Sequence, residues 1–301
     1  MSNSKNKSYA NLIVLILFVL LTIFSVFSHE ILSKIPLSRY YILSLVTALV
    51  FLIPAIILKN KARNKASSFF RLKNFKLRWL PLTFFASLVA TIGGVALNAV
   101  SLKVLPDGFK ALSLNPIASV SWESPLPAIL ALIIVPAVFE ELFFRGAYLS
   151  SFGNEKRPII IFTGAICFAV MHSTPYNFLA PLLAGCIYGT LVYILDSVYP
   201  AIFAHLFNNA ITCLFFNLNE KLSNAGLGTF LAVASIVIFL ISIYVSLREI
   251  EKFIKITPKK ALTVSQRVQK QKAKYVIADV YFLILIVLWA LKIVLQLFKI
   301  L

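Results

Sequence analysis

Glu140, Glu141 and Arg145 fall within six residues of one another, inside a stretch from Pro127 to Ser150 that otherwise reads as membrane-spanning. An ionised group at the bilayer centre costs about 3 kcal/mol on insertion scales, so such a cluster marks a functional-site candidate facing a bundle interior or a wet cavity. Residues four apart share a helix face. Glu141 and Arg145 are so spaced and are predicted to pair within the helix, while Glu140 points about 100° away and has no built-in partner. A buried carboxylate without a partner is suited to general acid or base work. Pro136, four residues before Glu140, removes a backbone hydrogen bond and predicts a kink beside the carboxylates.

The chain has three histidines. His29 lies near the end of the first apolar run and reads as an interface residue. His172 closes the run Phe168 to His172, and His205 begins His205-Leu-Phe-Asn-Asn209. His205 and Asn209 stand at i and i+4, so they could present two donors to one developing oxyanion. Singly, a buried His or Asn is more often a helix–helix hydrogen bond. Six polar groups on three neighbouring apolar segments favour a shared site. Depth fits in part: Glu140 and His205 lie within a few ångströms of one level, but His172 comes out about 6–10 Å too deep.

These residues need helices to hold them, and the composition supplies them. The 301-residue chain is 60% hydrophobic and 13% charged, with mean hydropathy +0.90. A soluble domain has about 25% charged residues. Long continuous apolar runs rather than alternating ones select helices over a barrel. The expected fold is all-α, a polytopic transmembrane helical bundle of about eight to nine spans, at 10–28, 40–58, 80–100, 127–150, 158–174, 177–195, 198–219, 226–247 and 279–299. Lys292 interrupts the last, which could lie on the surface instead. Three regions follow: 1–126, N-terminal transmembrane helices with a basic interfacial segment; 127–219, the core with the polar cluster; and 220–301, C-terminal helices with a basic linker.

The net charge of +18 does not indicate nucleic acid, because the basic residues cluster between apolar runs. Loops on the N-terminal side carry 21 Lys and Arg against seven opposite. By the positive-inside rule this puts the N-terminus in the cytoplasm of a multi-pass cell-membrane protein. Residues 69–80 read as a juxtamembrane connector or short interfacial helix. The Lys-rich stretch 252–275 reads as a solvated linker or a contact for anionic lipids. Cys167, Cys186 and Cys213 lie in apolar runs and read as small buried hydrophobes rather than a disulfide set. No internal repeat is evident, which disfavours a transporter built from inverted repeats.

Three motifs occur complete and in order: Glu140-Glu141 with Arg145, Phe168 with His172, and His205 with Asn209. In these the chain resembles the CPBP family, the CAAX-protease and bacteriocin-processing intramembrane endopeptidases with Rce1-like members, over about 127–219. The resemblance implies an intramembrane CAAX-type endopeptidase, a glutamic protease acting on peptides or proteins at the membrane. Glu140 would activate water, with His172 helping to position or deprotonate it. His205 and Asn209 would stabilise the oxyanion, and Glu141, Arg145 and Phe168 would support the site. Among bacterial members it implies peptide maturation or bacteriocin self-immunity. The family's present mechanism needs no metal. A zinc-dependent variant would use Glu140, His172 and His205 as ligands, but Asn is a poor zinc ligand and no His-Glu-x-x-His is present. The alternative from another class is a non-catalytic membrane scaffold that regulates a partner. Oligomeric state leaves no trace in the sequence.

Overall fold

The computed structural model describes residues 3–33, 35, 37–62, 65–106, 125–153, 157–172, 174–221, 225–256 and 279–298, apart from the side chains at 3–7, 29, 31–33, 215–229 and 232. The side chain of His29 and most of the 252–275 linker, with its lipid contact, thus lie outside the described residues. Those described are helical or in turns, with no strand among them.

Ten helices follow in order among the described residues: α1 (Asn3–Ser33), α2 (Arg39–Ala62), the single turn α3 (Ala66–Phe69), α4 (Leu80–Val104), α5 (Pro125–Ser151), α6 (Arg157–Met171), α7 (Leu179–Leu195), α8 (Tyr199–Lys221), α9 (Ala225–Ile256) and α10 (Val280–Leu297). Each of the nine expected spans falls on one of them. Six are long and apolar enough to cross a membrane among the described residues, while α6 and α7 are apolar but shorter. The protein is a multi-pass membrane helical bundle. The 69–80 segment is mostly connector, with an extended stretch and one 3₁₀ turn at Leu77–Trp79.

Two packed groups build the interior. α1, α2, α5, α6 and α10 share one apolar cluster around Phe51, Phe143, Phe144 and Phe168. α4, α7 and α8 share a second around Tyr188 and Leu191. α10 lies against α1, and Lys292 turns inward, 6% exposed, with its ammonium 5.8 Å from the Phe18 ring centre. Asp279 caps α10, accepting from the amides of Tyr281 and Phe282. The last span is therefore part of the bundle despite its lysine.

α6 and α7 meet most closely. Gly185 and Gly189, one turn apart on α7, abut Ala165 and Ile161 on α6: a Cβ on Gly185 would stand 2.9 Å from the Ala165 Cα. Small residues four apart allow such backbone approach between membrane helices. None of the three cysteines is in a disulfide, with Cys167 and Cys213 buried and Cys186 partly so.

Candidate active site

α5 does not wind evenly. Wider π turns occupy Leu130–Ile134 and Leu142–Tyr148, on either side of the α-helical Val135–Glu141. Such turns inside a helix are frequent at functional sites. The expected disturbance beside Pro136 is present in this form.

Glu141 and Arg145 pair as their spacing requires. Arg145 Nη1 donates to Glu141 Oε1 at 2.9 Å, with both side chains almost wholly buried. The same oxygen accepts a second bond that the sequence did not disclose, from His205 Nδ1 on α8 at 2.9 Å. One carboxylate thus joins the two packed groups. The Arg145 guanidinium also lies 4.4 Å from the Phe168 ring centre, a cation–π contact that shields it on the α6 side.

Phe168 organises both histidines. Its ring stands edge-on to His172, with centres 4.9 Å apart, and to His205 at 5.9 Å. α6 ends just before His172, whose backbone amide bonds Ala169 rather than Phe168. The Phe168 carbonyl is then taken by the His172 ring, Nδ1 at 3.0 Å. Helical side chains lean toward the N-terminal turn, and this bond folds the imidazole back along α6. That is the direction that lessens the depth mismatch found by counting residues.

Glu140 differs from its neighbour. It is partly exposed and has no hydrogen bond or ion pair among the described residues. Its carboxyl is within electrostatic reach of His205, Glu141 and Arg145, and His172 is within reach of His205 and Arg145. Glu140, His172 and His205 thus converge on one region rather than facing separate surfaces. Residues 122–211 match the family model of the type II CAAX prenyl endopeptidases, Rce1-like. Over these residues the chain is similar to that family. The resemblance read from the three motifs is to this family. No curated protein and no solved structure gives a significant match.

Asn209 serves the helix opposite. Pro136 has no N–H to give the carbonyl four residues back, that of Leu132. The Asn209 amide donates to that carbonyl at 3.1 Å. One of its two N–H bonds is therefore engaged and the other is open to a ligand. Asn208 beside it accepts from Thr91 of α4 at 2.7 Å and donates to Asn209 at 3.4 Å.

Two further residues of the core escaped the sequence reading. Tyr188 stacks on His205, with ring centres 5.6 Å apart and planes 28° from parallel, and its buried hydroxyl has no partner among the described residues. Gly185 admits Arg145 beside α7: a Cβ there would be 3.4 Å from Nη2. The Gly185–Gly189 spacing was the available signal for the second; nothing in the sequence distinguishes Tyr188 from other apolar-run tyrosines. Among the described residues, no group of three His, Cys, Asp or Glu side chains is close enough to hold a metal ion. The trio named for zinc does not form a ligand set here.

Proposed function

We propose that this protein is an intramembrane glutamic endopeptidase that hydrolyses peptide bonds of membrane-associated peptides or proteins. The observation that carries this is the division of labour between adjacent carboxylates. Glu141 is consumed by Arg145 and His205, while Glu140 is left unpaired beside them. A free carboxylate in reach of imidazoles can take a proton from water as it attacks a carbonyl.

The remaining roles follow from the hydrogen bonds. Glu141 accepts from His205 Nδ1–H and so fixes the ring, with Nε2 as its reactive nitrogen. Neutral, that nitrogen offers a lone pair; protonated, it offers an N–H to the oxyanion. In this reading His205 Nε2 faces the oxyanion of the tetrahedral intermediate, with the second Asn209 N–H beside it as a donor. His172, fixed by the Phe168 carbonyl, likewise presents Nε2 toward the water. The proton taken by Glu140 passes to the leaving amine as the carbon–nitrogen bond breaks.

The basic bias of the loops supports a cell-membrane protein with its N-terminus in the cytoplasm. Short hydrophobic or amphipathic peptides are the substrate class we favour, in peptide maturation or bacteriocin self-immunity. The test expresses Glu140→Gln and His205→Ala beside the wild type and follows cleavage of such a peptide. Loss of cleavage at unchanged membrane abundance is expected, with wild-type activity persisting in excess chelator. A cellular phenotype retained in both variants would sink the protease and favour a regulatory scaffold.

A further inference from the structure

A polar cavity of about 390 Å³ lies apart from the glutamates, at the ends of several helices. Its polar lining includes Ser68 of α3, Arg71 from the loop after it, Ser150 near the end of α5, Arg157 opening α6, and Tyr193 and Asp196 closing α7. Apolar walls come from Leu149, Ile160 and Val192.

The site is built rather than incidental. Arg71 and Asp196 both take left-handed backbone, with φ of 54° and 48°. Their loops are stitched together: Val198 N–H donates to the Arg71 carbonyl at 3.0 Å, and Ser197 Oγ to the Lys73 carbonyl at 2.8 Å. Positive charge exceeds negative here. Asp196, the only acidic residue lining the cavity among the described residues, is shared by Arg71 at 3.4 Å and by Lys73. Arg157 stacks over Tyr193 at 4.1 Å and has no ion pair among the described residues, yet lies close enough to Arg71 for the two to repel. Arg71 Nε is buried with no acceptor among the described residues. Burial lowers the Arg71 pKa from its ordinary value and Asp196 opposes that.

Two guanidinium groups with one shared carboxylate call for an anion, and their forked donors match the oxygens of a phosphate group. Helix ends lie at the headgroup level of a bilayer, where phosphodiesters are the abundant anion. We propose that this cavity binds a phosphate group through Arg71 and Arg157, as the headgroup of an anionic phospholipid or as free phosphate. The apolar walls suit the glycerol end of a lipid. The inference does not depend on peptide hydrolysis.

The test measures binding to the purified full chain of three probes: a short-chain phosphatidylglycerol, the matching diacylglycerol without phosphate, and inorganic phosphate. Phosphatidylglycerol is expected to bind and diacylglycerol not, with affinity roughly fivefold weaker for each of Arg157→Gln and Arg71→Gln. Saturation by inorganic phosphate with the same arginine dependence would identify the free ion as the source. Binding that is equal in wild type and Arg157→Gln, or absent for both phosphate probes, overturns the proposal. Should Arg71→Gln fail to fold, because Arg71 also holds Asp196, Arg157→Gln decides alone.

Discussion

Replacing Glu141 by Leu tests whether one buried carboxylate holds the core together. Leu nearly matches its volume, so the loss is electrostatic rather than a cavity. Glu141 is fully buried and accepts from both Arg145 and His205 at 2.9 Å. Without it Arg145, 2% exposed, keeps only the faces of Phe168, Phe144 and Tyr188. Breaking a buried ion pair on one side costs about 3–5 kcal/mol, whereas replacing both partners by apolar residues is often neutral or better. Against a total stability of about 5–15 kcal/mol, the single variant should be marginal. The double variant Glu141→Leu with Arg145→Met should recover most of that loss. Neither should cleave peptide, because His205 Nδ1 has lost its acceptor in both. Unfolding in detergent, read beside peptide cleavage, checks each point. A single variant within about 1 kcal/mol of wild type, or a double variant less stable than either single, would refute the reasoning.

Gly185→Ala would press its Cβ to 2.9 Å from the Ala165 Cα, a backbone atom that cannot swing aside. Overpacking of this kind costs about 1–3 kcal/mol, and α6 must shift with His172; a lower Tm with reduced cleavage is expected. Asn209→Ala should cost about 1–3 kcal/mol by leaving the Leu132 carbonyl without its donor. In a Pro136→Ala background the restored N–H can serve that carbonyl, so the same substitution should cost less. A double-mutant cycle by unfolding that gives additive losses would remove the link between Pro136 and Asn209.

The helices were legible because membrane crossing demands long apolar runs, and chain length converts directly into span. The Glu141–Arg145 pair was legible because it needs only the geometry of one helix. Its third member was not: which residue on α8 faces α5 depends on how two helices abut, and one sequence does not encode that locally. Hence His205 and Asn209, matched by spacing, have partners on α5 that spacing could not supply. Counting residues also treats the His172 ring as level with its Cα, whereas the end of α6 frees a carbonyl that draws the ring back. The arginine-lined cavity was hidden for a further reason. Arg71 and Arg157 belong to separate connectors and read, singly, as charges that only set orientation.

α6, with 15 residues, is about 22 Å long, and α7, with 17, about 26 Å. The oily interior of a bilayer is about 30 Å thick. Where the exposed positions of this pair, such as Phe162 and Leu179, meet lipid, a bilayer would dimple or let headgroups sink inward, at a modest energy per ångström. Hydrolysis consumes a molecule of water at each turnover, and a dimple beside the short pair shortens the dry path it has to cross. Longer acyl chains would deepen that path, tying the supply of the reagent to the thickness of the host membrane.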